Sequence, residues 1–186
     1  RIISKLGQGG MGAVYKANQE SLDKFVCVKL LSPELARDPR NIEFFLREAR
    51  SAAKLDHPNI VHVYNFGQEN GSYFIVMSYV EGKSLQDLVA EKGPLPIMRA
   101  TGIMRGVLEG LAHAHSKSVI HRDIKPANIL VGPGDVPHIV DFGLARSLSE
   151  EKQLTMAGEM VGTAYFMSPE QGLAGKVDSR ADLYAA

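Results

Sequence analysis

Apolar residues recur at two different periods along this chain, and the switch between them divides it. The first stretch reads as strands joined by tight turns: Ile2 to Leu6, a glycine cluster, Ala13 to Ala17, then Phe25 to Leu31. From Asn41 to Leu55 the spacing turns helical, with Ile42, Phe45, Leu46, Ala49, Ala52 and Ala53 on one face and Arg47, Ser51 and Lys54 on the other. Strands return at Ile60 to Phe66 and Tyr73 to Tyr79 around the turn Glu69-Asn70-Gly71-Ser72. One amphipathic helix packed on a five-stranded antiparallel sheet is the expectation. After Val80-Glu81-Gly82 the pattern is helical. Ser84 is placed to cap a helix that Gly93-Pro94 ends, and a longer helix is predicted over Ile97 to Ser116. Its apolar stripe is Ile103, Val107, Leu108, Leu111 and Ala112. Gly102, Gly106 and Gly110 share one side of it, which suggests close approach of a neighbouring helix.

Composition narrows the function classes. With 45% hydrophobic and 23% charged residues, the 186-residue chain has ordinary globular composition. Lys and Arg number 21, as do Asp and Glu, so no global field recruits nucleic acid. A single cysteine, Cys27, excludes an internal disulfide or thiolate zinc site, and the six histidines show no metal-ligand spacing. No apolar run reaches the roughly 18–20 residues that span a bilayer, and no leader pattern opens the sequence. A cytoplasmic setting is expected, with any membrane anchor of a longer protein lying outside this segment.

Candidate chemistry begins at Gly7-Gln8-Gly9-Gly10-Met11-Gly12-Ala13-Val14, a glycine-rich turn between two predicted strands. Such glycines let backbone N–H groups approach phosphate, although glycine-rich hairpins also occur without a ligand. A dinucleotide fingerprint would continue into a helix; here a strand follows. Fifteen residues past Val14, Lys29 shares a strand face with Cys27, suited to a phosphate-facing cation or to a solvated strand end. Glu48 borders the apolar stripe of its helix, where it is either the counter-ion of Lys29 or a boundary glutamate. The densest polar stretch is His121-Arg122-Asp123-Ile124-Lys125-Pro126-Ala127-Asn128, followed by Asp141-Phe142-Gly143. Pro126 argues against continuous helix, and a loop built for chemistry explains these residues better than a core. Asp123 can accept a hydroxyl proton and Lys125 can neutralise phosphoryl oxygens, while Asn128 and Asp141 offer hard oxygen ligands for magnesium.

Together these residues resemble the protein kinase signature set, in the family's order. The resemblance continues through Gly162-Thr163-Ala164-Tyr165-Phe166-Met167-Ser168-Pro169-Glu170 and Asp178-Ser179-Arg180-Ala181-Asp182, covering essentially the whole chain. It implies an α+β bilobal fold, with residues 1–80 as the sheet-rich lobe and 81–186 as part of a mainly helical lobe. It also implies ATP and Mg2+ as cofactors. Lys29 would order the α- and β-phosphates and pair with Glu48; Asp123 would orient the acceptor hydroxyl; Asn128 and Asp141 would hold the metal. Gly7, Gln8, Gly9, Gly10 and Gly12 would cover the phosphates. Met77 falls at the gatekeeper position, Ser78, Tyr79 and Val80 at the hinge, Val14 and Cys27 above adenine and Leu130 below it. His121 and Phe142 would belong to a stacked spine. Lys125 and Thr163 resemble the Ser/Thr branch, and the wording of His57-Pro58-Asn59-Ile60-Val61 is similar to bacterial members of the eukaryotic-like kinases.

The expected partners are proteins carrying Ser or Thr acceptors, neither nucleic acid nor membrane, with dimerisation left open as a route to autophosphorylation. Arg122 and Arg146 would form an anion pocket for a phosphorylated loop residue, Thr155 first, with Ser147, Ser149 and Thr163 behind it. Cys27, Ser78 and Ser168 depart from the family's usual alanine, glutamate and alanine at small or backbone-dominated positions. The family's domain normally continues past the Ala186 position through further helices, so the chain is expected to be a piece of a longer protein. A pseudokinase would lack one of Lys29, Asp123 or Asp141, and all are present. A small-molecule kinase would not need the long segment from Leu144 to Met167.

Overall fold

The computed structural model describes residues 1–142, 165–173, 175 and 177–186. The chain divides into two compact units, Arg1–Asp56 with Val61–Tyr79, and His57–Ile60 with Val80–Ala186.

In the first unit the alternating segments form strands β1 (Ile2–Gly9), β2 (Gly12–Gln19), β3 (Lys24–Leu31), β4 (Val63–Glu69) and β5 (Ser72–Ser78). They pair antiparallel in the order β1-β2-β3-β5-β4. The expected strand at Ile60 starts only at Val63, because Ile60 bridges instead to Ile139 in the second unit. Helix α1 (Pro39–Ala52) starts two residues before the periodicity suggested. Asp38 caps it, its Oδ1 accepting the Arg40 N–H at 2.9 Å, and Pro39 at the first position needs no partner for a missing N–H. Phe44, Phe45 and Ala49 are its buried residues. Phe44 was absent from the expected stripe, and Ala53, included in it, is exposed beyond the helix end. Removing one phenylalanine side chain from water contributes on the order of 2–3 kcal/mol, so Phe45, fully buried, anchors the helix.

The second unit holds α2 (Leu85–Lys92) and α3 (Ile97–Ser116). Ser84 caps α2 by accepting the Asp87 N–H at 3.0 Å, and Gly93 ends it at φ 74°. A three-stranded sheet of β6 (Lys83–Ser84), β7 (Ile129–Val131) and β8 (Pro137–Ile139) lies beside them, its strands too short to show a period in sequence. Two further helical turns follow, Pro169–Gly172 and Arg180–Ala185. Helix α3 buries Ile103, Val107, Leu111 and Ala114 with Gly106 and Gly110, whereas Leu108 and Ala112 face outward. The glycine side of α3 packs on a strand, not on the helix expected. A Cβ at Gly106 would lie 2.7 Å from Pro137 Cγ, and one at Gly110 would lie 3.1 Å from Ile139 Cδ1; one at Gly102 meets nothing. Asn59 completes this contact, its Nδ2 donating to the Pro137 carbonyl at 2.9 Å and its carbonyl accepting the Ile139 N–H at 2.8 Å. Beside it, burial pushes the His138 imidazole below its usual range, partly offset by a hydrogen bond to the Pro58 backbone. No helix among the described residues is long and apolar enough to cross a membrane.

The glycines of α3 should therefore respond in opposite directions. Gly102→Ala is expected to stabilise the chain by up to about 1 kcal/mol through helix propensity. Gly106→Ala should destabilise it by about 1–3 kcal/mol, because the new methyl must displace Pro137. Urea unfolding of both variants checks the pair; equal shifts would place β8 away from the helix.

Candidate functional site

The first unit contributes a sheet face. Strand register sets Val14 opposite Lys29 and Lys29 opposite Ile75, with Cys27 opposite Met77 in the next row. Directly paired residues and residues two apart on a strand share a face, so Val14, Cys27, Lys29 and Met77 belong to one side. Lys29 is only 6% exposed, unusual for a lysine and costly unless compensated. Glu48 on α1 keeps its side chain 15% exposed, with Arg47 Nε 3.6 Å from its Oε1. Next to Met77, Ser78 is locked to His62: its N–H donates to the His62 carbonyl at 2.9 Å and its Oγ accepts the His62 N–H at 3.1 Å. Tyr79 meets Phe25 edge-on, and Lys16 Nζ lies 4.2 and 4.3 Å from the two ring centroids. The chain around positions 78 and 79 is thereby pinned to the sheet.

The glycine turn between β1 and β2 contains two kinds of glycine. Gly12, at φ 149°, cannot be replaced, because a Cβ there would collide with the Leu30 carbonyl. At Gly7, Gly9 and Gly10 a Cβ would meet no protein atom within 4 Å, and none of the three has the positive φ that favours glycine.

In the second unit the polar loop is built around a buried carboxylate. Asp182, fully buried, accepts the His121 N–H on Oδ2 at 2.8 Å and the Arg122 N–H on Oδ1 at 2.7 Å. His115 Nε2 lies 2.7 Å from Oδ2, and since that oxygen accepts, Nε2 carries the proton. Arg122 is left at φ 69°, a conformation that a non-glycine residue keeps only when its surroundings enforce it. Asp123 follows, and its Oδ2 receives Lys125 Nζ and Asn128 Nδ2, each at 2.9 Å. Asn128 Nδ2 also donates to the Asp123 carbonyl at 2.8 Å, so the amide oxygen faces away from Asp123. Ile124, 2% exposed, fastens the loop to the core between these polar residues.

His121 ties this loop to the next segment. Its Nδ1 accepts the Asp123 N–H at 3.2 Å and its Nε2 lies 2.8 Å from the Val140 carbonyl, which can only accept. The ring is therefore held as the Nε2–H tautomer. Phe142 packs edge-on against it, centroids 4.7 Å apart. The Val140 N–H donates to the Asn128 carbonyl at 3.0 Å, extending the β7-β8 pairing to the residue before Asp141. Asp141 itself sits at φ 61°, half-buried. Leu130 lies between Ser84 and His138 in the sheet. Among the described residues no group of three His, Cys, Asp or Glu side chains could hold a metal. One carboxylate and one amide oxygen fit Mg2+, which keeps several waters and takes phosphate oxygens as further ligands.

Asp123, Lys125 and Asn128 are thus brought into one hydrogen-bonded group, and Lys29 and Glu48 both belong to the first unit. Arg122 is exposed, while Arg146, Thr155, Ser147, Ser149 and Thr163 lie outside the described residues. Sequence reasoning missed His115 and Gln171 as parts of the site. Gln171 Nε2 donates to the Arg122 carbonyl at 2.8 Å. The Ser-x-x-Gln spacing of a capping box is the signal that could have found Gln171. Nothing marked His115, whose partner is 67 residues away.

The model of the family described as protein kinase domain matches residues 1–186. The serine/threonine-protein kinase pkn3 of Myxococcus xanthus is 44% identical over all of this chain and 35% of its own length. Serine/threonine-protein kinase PrkC of Bacillus subtilis is 41% identical over all of this chain and 28% of its own. The chain thus spans about a third of the length of these curated relatives. The crystal structure of the PknI kinase domain of Mycobacterium tuberculosis superposes with a TM-score of 0.78 at 31% identity, covering 99% of this chain and 67% of that one.

Asp182→Asn keeps the size of the buried group but turns one acceptor into a donor that faces an N–H or the protonated His115 nitrogen. We expect a loss of about 2–3 kcal/mol in unfolding free energy, the range for an unsatisfied hydrogen bond to a buried charged group. Chemical denaturation measures it. A variant as stable as the parent would remove Asp182 from its central position.

Proposed function

This chain belongs to the protein kinase domain family, and on that premise we propose that it is the catalytic part of a serine/threonine protein kinase, transferring the γ-phosphoryl group of Mg-ATP to Ser or Thr hydroxyls of proteins. The observation that carries the reading is the Asp123 carboxylate with one oxygen taken by Lys125 and Asn128. Its other oxygen is left to accept the proton of an incoming hydroxyl. As that hydroxyl oxygen bonds to the γ-phosphorus, the bond from phosphorus to the ADP oxygen breaks, and Lys125 offsets charge on the transferring group. Asn128 and Asp141 would hold magnesium, which when bound would neutralise phosphate charge. Lys29 binds the α- and β-phosphates with Glu48 as its counter-ion. The open space above Gly7, Gly9 and Gly10, where the fold itself makes no demand for glycine, suits backbone approach to phosphate. Gln8 and Gly12 complete that turn. Val14, Cys27 and Leu130 contact adenine, Met77 lies behind it, and the backbone of Ser78, Tyr79 and Val80 bonds its edge. The presence of Lys29, Asp123 and Asp141 favours this over a pseudokinase.

The two aspartates should separate binding from transfer. Asp123→Asn is expected to abolish phosphoryl transfer, by about a hundredfold or more as for a lost general base, with ATP affinity nearly intact. Asp141→Asn should lower transfer and also weaken magnesium-dependent ATP binding. Nucleotide titrations with and without magnesium, beside transfer assays on a protein substrate, test this. An equal loss of ATP affinity in both would contradict the roles given to them.

Regulation is part of the same reading: phosphorylation of Thr155 adds about −1.5 to −2 charge, which Arg122 and Arg146 would bind. Autophosphorylated protein carrying Thr155→Ala should transfer phosphate more slowly than the parent in a matched assay. Equal rates would remove Thr155 as the switch.

A further inference from the structure

The residue just before Asp123 is gripped on both of its flanking peptides, and only one of the grips comes from Asp182. On the amide side, the Arg122 N–H donates to Asp182 Oδ1 at 2.7 Å; on the carbonyl side, the Arg122 oxygen accepts Gln171 Nε2 at 2.8 Å. Gln171 lies in the helical turn Pro169–Gly172, which follows the segment 143–164 in the chain. Its amide orientation is fixed. The Ser168 N–H donates to Gln171 Oε1 at 3.2 Å, so the amide nitrogen is the atom turned to the Arg122 carbonyl. Reversing the amide would set donor against donor at Ser168 and acceptor against acceptor at Arg122. Ser168 is itself buried, 1% exposed, which gives the glutamine a firm base.

We propose that Gln171 is a positioning residue for phosphoryl transfer: it holds the Arg122 peptide in its left-handed conformation and so aims Asp123 at the acceptor hydroxyl. Arg122 at φ 69° carries strain that an arginine relieves by rotating its flanking peptides, and such a rotation swings the next residue. Asp182 restrains the amide end of Arg122, whereas the peptide linking Arg122 to Asp123 is held by Gln171 through its oxygen. The downstream end of Asp123 is restrained separately, by Asn128 Nδ2 on its carbonyl. The N–H of the peptide linking Arg122 to Asp123 goes to His121 Nδ1 at 3.2 Å, so Gln171 governs its oxygen, the one end of it that the loop's own side chains leave unanchored.

The inference rests on the role of Asp123 proposed above, and one substitution isolates it. Gln171→Glu preserves the shape and the acceptor for the Ser168 N–H, since glutamate serves a capping box as well as glutamine does. It removes the donor to Arg122 and puts a carboxylate oxygen against a carbonyl oxygen. The thermal midpoint and the affinity for Mg-ATP should stay near those of the parent while kcat falls about tenfold, the cost of one lost hydrogen bond. Gln171→Met, which loses both bonds, should show the same fall in kcat together with a lower thermal midpoint. All three proteins, with Asp123→Asn as a zero, are compared in one transfer assay on a protein substrate. A Gln171→Glu protein with parental kcat overturns the inference and leaves the kinase reading standing. So does a loss of kcat matched by equal losses in ATP affinity and thermal midpoint, which would make Gln171 a stabilising residue only. A parent protein that transfers no phosphate overturns both readings.

Discussion

A carboxylate with no access to water has to be surrounded by donors, and the loop bearing Asp123 takes its shape from meeting that requirement at Asp182. Two successive peptide N–H groups, those of His121 and Arg122, turn toward the same side chain. Successive amides cannot do so in a strand, where they point to opposite sides, so the chain must coil locally. The left-handed Arg122 is the cost of that turn, and it persists because the carboxylate would otherwise lose a partner. From there the order spreads by hydrogen bonds: the backbone of Asp123 to His121, Asn128 to Asp123, and His121 to the Val140 carbonyl beside Asp141.

The first unit is organised differently. The face that carries Lys29 is a property of antiparallel register, in which each strand places one side chain per row and Lys29 is flanked by Val14 and Ile75. Rigidity is confined to where it is needed. Gly12 closes the turn against the Leu30 carbonyl, while a side-chain carbon added at Gly7, Gly9 or Gly10 would meet nothing within 4 Å. A turn anchored on one side and open on the other can approach a ligand without being rebuilt.

What the sequence made legible follows from range. Period-two strands, the helix over Ile97–Ser116 and the Ser84 cap depend on residues within a turn or two of one another, and apart from the start of the strand expected at Ile60 they are found where local pattern placed them. The candidate residues of the polar loop were legible because several oxygens and a lysine close to a proline are poor core material. Illegible were the features decided across the fold. The glycine side of α3 packs on β8 because Asn59, 78 residues before Pro137, fastens that strand in place. Ile60 leaves its expected strand for the same reason, drawn to Ile139. His115 is one of several polar residues near a helix end until Asp182 arrives 67 residues later, and Phe44 is buried by neighbours that no helical wheel contains.

The separation of Asp182 from its partners also sets an order of events during synthesis. The pairings of β1 with β2 and of β2 with β3 join residues close in sequence, so that sheet can begin to assemble while the rest of the chain is still being made. The loop holding Asp123 has no such liberty, because the carboxylate that coils it lies 60 residues further on. A growing chain therefore carries the sheet face that bears Lys29 long before the position of Asp123 is fixed. Until residue 182 has emerged, the first sheet can form while the loop around Asp123 still lacks the carboxylate that coils it.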